Sequence, residues 1–259
     1  MKKAMLHIER QGNVVVWTID RPAAKNALDH KTIAALAQAI EEANRDVTVR
    51  AAVLTGAGQV FVSGGDLREL REKNSHEEAE RFSDLGWHLC HAITRLPFPV
   101  LCALPGPAIG GGAELAMACD MRIAAVRATI SFKQVRMGVT TAWGTAARLL
   151  ASVSVGTAAR LLYAGHELTA EQAKVLGLVD EVTDDDHALE VAMAWAADVA
   201  LGSPSAIAEM KRLVRAAATG ADDVRALERQ LFATTWSGAD HSEAVEAFFE
   251  RRQARWLDR

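Results

Sequence analysis

Pro105-Gly-Pro-Ala-Ile-Gly-Gly-Gly-Ala-Glu-Leu-Ala-Met-Ala-Cys-Asp120 is the stretch from which the rest of the chain is read. The apolar run Val100 to Leu104 reads as a buried strand leading into it. Three glycines then open an apolar helix, Ala113 to Ala118, that carries one charge, Glu114, in its first turn. Gly110, Gly111 and Gly112 let other groups approach the backbone closely, and N–H groups at a helix start lack helical partners. Backed by the helix dipole, such N–H groups attract negative charge. A carboxylate among Ala, Leu and Met is costly without a partner or a task. Tight packing with Glu114 as a cap would account for the pattern structurally. A P-loop requires Lys-Ser/Thr after the last glycine, where Ala113-Glu114 stands, and the G-x-G-x-x-G dinucleotide spacing is missing. An oxyanion hole with an acid/base beside it is the remaining reading.

A second site favours that reading. Ser63-Gly64-Gly65-Asp66 is another glycine turn between a strand-like run and a helix. Alone it would be a plain turn with Asp66 capping the next helix. Together, the two turns can aim two main-chain N–H groups at one point, which is what acyl transfer requires.

The surrounding chain reads as alternating strands and helices. Val14 to Ile19 is a strand, paired through Gly12-Asn13 with Leu6 to Glu9. Asp29 caps a helix whose apolar face is Ile33, Leu36, Ala37 and Ile40. Ala51 to Leu54 is a short buried strand, and a helix with a stripe at Phe82, Leu85, Leu89, Ala92 and Leu96 follows. This alternation implies parallel pairing through right-handed crossovers. Met121 to Ala125 is a further strand, Ile130 to Met137 is ambiguous, and helices dominate from about residue 145. Thr169-x-x-Gln172 is a capping box closed by Gly177, and Ser203-Pro204 starts another helix. Asp240-x-x-Glu243 is read as opening a last helix, Ser242 to Trp256, with Val245, Phe248 and Phe249 on one side and Arg251, Arg252 and Arg255 near its end. The expected division is an α/β core, 1–199, and a helical region, 200–259.

With 259 residues, half hydrophobic and 24% charged, the chain has the composition of a globular protein, and a net charge of −4 gives no electrostatic sign of nucleic-acid or membrane partners. The three cysteines, Cys90, Cys102 and Cys119, read as buried free thiols in a reducing compartment. Without a recognisable signal peptide or membrane span, a cytoplasmic location is expected. The eight histidines do not cluster at ligand spacing, so no metal is expected, and the serine elbow G-x-S-x-G is missing.

The chain resembles the crotonase superfamily, the enoyl-CoA hydratase/isomerase family, along essentially its whole length. The resemblance lies in Arg21-Pro-Ala-Ala-Lys-Asn-Ala-Leu28, Phe61-Val-Ser-Gly-Gly-Asp-Leu67, Gly106 to Asp120, Met137-Gly-Val, Leu168 to Val182 and the C-terminal Phe-Phe-Glu-Arg-Arg. It implies a spiral of β-β-α units followed by C-terminal helices that assemble trimers or dimers of trimers. It implies an acyl-CoA substrate, with coenzyme A part of that substrate and no separate cofactor. Carried over by position, Gly65 and Gly111 would hold the thioester oxygen, and Glu114 would be the acid/base. Lys25, Ala27, Ser63, Asp66, Leu67 and Arg68 would line the CoA path, and Phe248 and Arg251 would reach it from a neighbouring subunit.

One position departs from the family pattern. Where hydratases of the family carry a second glutamate, this chain has Lys133-Gln134, and Gln can hold a water but cannot take its proton. The loop Gly138-Val-Thr-Thr-Ala-Trp-Gly144 is closer to that of acyl-CoA decarboxylase-like members. Hydration of an enoyl-CoA is the leading expectation. Decarboxylation of a methylmalonyl-type thioester, or double-bond isomerisation, is the alternative. A rival of another class is a non-catalytic member that uses the fold for binding, RNA included.

Overall fold

The computed structural model describes residues 5–71 and 75–256; the first four residues of the N-terminus, where no signal peptide was recognised, lie outside them. Strand β1 (Leu6–Gln11) turns through Gly12-Asn13 into antiparallel β2 (Val14–Ile19). Helix α1 (His30–Arg45) follows, with the Asp29 carboxylate accepting from Thr32 N at 2.7 Å. Strand β3 (Ala51–Gly56) leads through the first glycine turn to the short helix α2 (Leu67–Leu70) and the long helix α3 (His76–Arg95). Strand β4 (Val100–Leu104), the two-residue β5 (Ala108–Ile109) and helix α4 (Gly111–Ala116) form the central stretch. Then come β6 (Met121–Ala125), β7 (Thr129–Ser131) and a 3-10 turn, Lys133–Met137. Helices α5 (Thr145–Ser152) and α6 (Val155–Ala164) precede β8 (Glu167–Thr169), α7 (Ala170–Val175) and β9 (Glu181–Thr183). The chain ends in α8 (Ala188–Ala200), α9 (Pro204–Ala218), α10 (Val224–Trp236) and α11 (Ala239–Glu250).

The main sheet runs β1-β2-β3-β4-β6-β9, parallel throughout except at β1. A smaller sheet, β5-β7-β8, stands beside it. Strands buried on both faces read as continuous apolar runs rather than alternating ones. Here Trp17, Leu54 and Cys102 point to the layer of α1, α3 and α4, while Val16, Val53, Leu101 and Ile123 pack under Ala188, Ala192 and Ala196 of α8. Cys90, Cys102 and Cys119 are buried free thiols, and burial pushes the Cys90 thiol up to about 12. Lys211 of α9 is buried too. It donates to the Ile93 and Phe98 carbonyls and to Asp120 at 2.7 Å, tying the C-terminal helices to the end of the central stretch.

Three element readings need correction. The central helix starts at Gly111, two residues earlier than its apolar run, because Gly110 turns the backbone at φ +55°. On α3 the buried face is Gly86, Leu89, Cys90 and Ile93, and Leu85 is exposed. The last helix begins at Ala239 without a side-chain cap and stops at Glu250, where Arg251 turns left-handed at φ 55°. Asp240 instead accepts hydroxyls from Ser203 and Ser205, and Arg252 pairs with Glu243 and Glu250, so the basic run folds back on the helix instead of extending it.

Candidate active site

The two glycine turns leave the core side by side. Val62 and Ala108 pair as a parallel bridge, and Ile109 N–H donates to the Val62 carbonyl at 2.9 Å. A β-carbon on Gly112 would stand 2.1 Å from that same carbonyl oxygen, so the approach of the two segments requires glycine there. One on Gly64, whose φ is +107°, would lie 3.7 Å from the Gly111 nitrogen. A third segment is laced to the first: Leu28 N–H donates to Gly64 O, Asp66 N–H to Leu28 O, and Ser63 N–H to Lys25 O. The N–H groups of Gly65 and Gly111 donate to no acceptor among the described residues. Two unspent donors, one at the first residue of a helix, are suited to an anionic oxygen.

Glu114 lies in the first turn of α4 and is 2% exposed. It does not cap that helix. Its Oε1 accepts from Gln134 Nε2 at 2.7 Å, and its Oε2 from Trp143 N–H at 2.9 Å. Burial pushes its carboxyl above the usual glutamate range. The N–H groups of Trp143 and Ala142, the Gln134 amide and the charge of Arg148 pull the other way without cancelling the effect. A buried carboxyl held in this way can both take and return a proton. Gln134 comes from the 3-10 turn and meets Glu114 directly; its own Oε1 is buried and unpartnered.

Lys25, Ala27, Ser63, Asp66, Leu67 and Arg68 gather on one rim beside the glycine turns. Lys25 is left-handed at φ 51°. The Ala27 carbonyl accepts from the Arg21 guanidinium, and Ser63 Oγ donates to Ala24 O at 3.4 Å. Asp66 caps α2 by accepting from Arg68 N and pairs with Arg21 at 2.9 Å, so its carboxylate is committed to structure; Leu67 and Arg68 are exposed. No hydrogen bond or ring contact among the described residues ties Phe248 or Arg251 to this rim. They are exposed at the end of α11, where Phe248 packs edge-on against Phe249. Among the described residues no three His, Cys, Asp or Glu side chains are grouped to hold a metal ion.

The Trp143 loop stands in the sequence reading, but Trp143 itself was given no role there, and Gly86 was not singled out. Trp143 is 3% exposed, its main-chain N–H holds Glu114, and its carbonyl accepts from Arg148 at 2.7 Å. Its indole lies where β-carbons on Gly111 and Gly86 would stand 2.7 and 1.9 Å from ring atoms. Phe82 lies 5.7 Å from that indole and 5.8 Å from the His30 ring. A glycine in the middle of a twenty-residue helix was the available signal, since it costs stability unless something occupies the space a side chain would take.

Known proteins carry the same frame. The C. acetobutylicum short-chain-enoyl-CoA hydratase is 34% identical over 95% of this chain and 95% of its own length. The E. coli 2,3-dehydroadipyl-CoA hydratase is 33% identical over 95% and 96%. The crystal structure of an enoyl-CoA hydratase from Polaromonas sp. JS666 superposes with a TM-score of 0.92 at 28% identity, covering 97% of this chain and 99% of that one. The family description enoyl-CoA hydratase/isomerase matches residues 9–259. With adjoining glycine turns, a buried glutamate behind them and this full-length likeness, the chain belongs to the enoyl-CoA hydratase/isomerase (crotonase) family of acyl-CoA enzymes.

Proposed function

We propose that this chain hydrates a short enoyl-CoA, with Gly65 and Gly111 as the amide donors to the thioester oxygen and Glu114 as the acid/base. The observation that carries the reading is the Glu114 carboxyl, buried one turn from the Gly111 N–H and raised in pKa while still fully hydrogen-bonded. In the forward step Glu114 takes a proton from water as the water oxygen bonds to the β-carbon. The electron pair of the double bond moves onto the thioester oxygen at the two amides. The α-carbon then takes a proton back from Glu114, leaving a hydroxyacyl-CoA. The relatives named as hydratases support this direction. Lys25, Ala27, Ser63, Asp66, Leu67 and Arg68 form the CoA side of the site, and a homo-oligomer would bring Phe248 and Arg251 of a neighbouring copy to it.

Gln134 supports a second reading. With an amide where a second carboxylate would share the water, the hole and a single proton donor suffice for decarboxylation of a malonyl-type thioester: carbon dioxide leaves, its bonding electrons form the enolate, and protonated Glu114 delivers one proton to carbon. Isomerisation needs the same set. Purified protein incubated with crotonyl-CoA is expected to bleach the enoyl absorbance. If that absorbance is unchanged while methylmalonyl-CoA releases carbon dioxide, hydration gives way to decarboxylation. Tight, salt-sensitive binding of RNA, with neither thioester turned over, would favour the non-catalytic reading.

A further inference from the structure

The main-chain N–H of Trp143 fixes Glu114, but its side chain has no part in that contact, and the space the side chain fills is specific. The indole is wedged between α3 and α4. Its six-membered ring stands against Gly111, and its Nε1 edge against Gly86. Phe82, at 5.7 Å, continues the surface to Gly65, where a β-carbon would come within 3.1 Å of the Phe82 ring. One aromatic wall therefore lies directly behind both unspent amides. We propose that Trp143 is the acyl-length stop of this site, closing it to all but short acyl groups. The inference rests on the reading of Gly65 and Gly111 as the thioester donors.

With the thioester oxygen at those amides, the α-carbon must lie within reach of Glu114, whose Oε2 is already held by Trp143 N. The acyl chain then starts at the indole. Methylenes beyond the reacting carbons would have to occupy the volume of a ring that is 3% exposed and locked on both sides by glycine. An interior packed to this density does not yield that volume without displacing the ring. Glycine at 86 suits this purpose, because any other residue there would expel the indole from its seat.

The test is equilibrium binding, by titration calorimetry, of butyryl-CoA and decanoyl-CoA, saturated thioesters that neither hydrate nor decarboxylate. The wild-type protein is expected to bind butyryl-CoA more tightly than decanoyl-CoA by about tenfold or more. Trp143→Ala should bring the two within about threefold or reverse their order, with Trp143→Phe intermediate. If the alanine variant does not fold, the phenylalanine variant decides: it must narrow the gap. Wild-type protein that binds decanoyl-CoA as well as butyryl-CoA, or a gap unmoved by the substitution, overturns the stop and leaves the acyl-CoA reading standing. Wild-type protein that binds neither thioester overturns both together.

Discussion

At Glu114 two opposing effects act on one carboxyl, and their balance sets the chemistry. Desolvation is the larger and favours the proton; four groups, Trp143 N–H, Ala142 N–H, the Gln134 amide and Arg148, favour the charge. The folded protein therefore holds this proton more tightly than the unfolded chain does. Its stabilising contribution is complete below the ordinary value of 4.5 and is lost as pH rises through the higher folded value. Hydration requires the carboxylate, so kcat/KM should rise through a limb displaced above 4.5. Glu114→Gln should lower kcat by about 10²–10⁴-fold while leaving the Kd for an acyl-CoA within about threefold, because the amides of Gly65 and Gly111 are untouched. Steady-state rates and binding titrations across pH read all of this; unchanged turnover, or a limb at the ordinary glutamate value, would remove Glu114 from the chemistry. Glu114 and Gln134 stood out in the sequence because a lone carboxylate in an apolar run, and an amide where the resemblance implies an acid, are local anomalies. The Trp143 N–H was not legible, since a main-chain donor outside a glycine turn leaves no trace in residue identity.

Strands β2, β4 and β6 were readable to the residue because both of their faces are buried, so that β4 stands in the chain as an unbroken apolar run and β6 as one interrupted only by Arg122, whereas the shorter β5, β7 and β9 leave no such run. The capping box of α7 was equally plain, since Thr169 and Gln172 exchange their hydrogen bonds locally. Helix α3 was harder. Its periodicity placed Leu85 on the core face, but the contact that orients the helix is an absent side chain at Gly86 meeting Trp143 from 57 positions away. Gly86→Ala sets two effects against each other. Helix propensity favours alanine by about 1 kcal/mol, while a β-carbon 1.9 Å from a buried indole forces repacking that costs about 1–3 kcal/mol or more. The overlap is with a rigid ring rather than a flexible chain end, so the net change should be a loss of stability, read as a lower midpoint in urea. Adding Trp143→Phe should recover part of it. A stabilised Gly86→Ala protein would show that the indole is not seated as described.

Over the whole chain, apolar surface is distributed unevenly. The sheet and its two covering layers bury most of their large side chains, whereas the last three helices leave Met210, Val214, Phe232, Trp236, Phe248 and Phe249 exposed, Phe249 to 78%. Large apolar side chains left bare on successive helices argue for self-association through the C-terminal region. Phe248 and Arg251 point the same way: as candidate CoA contacts they are exposed, and no hydrogen bond or ring contact among the described residues ties them to the rim of Lys25 and Arg68 within one chain, so a second copy is the expected source of them. Light scattering of the purified protein should give three or six times the single-chain mass. Phe248→Asp combined with Phe249→Asp should shift it toward one chain, since two carboxylates at the centre of an apolar contact cost more than the contact returns. If the neighbour completes the CoA site, the dissociated protein should also lose affinity for acyl-CoA while its Glu114, Gln134 and glycine turns remain folded, so that KM rises well before kcat falls. A wild-type chain that runs as a monomer with full acyl-CoA affinity would place the whole site in one subunit and leave the exposed aromatics without this explanation.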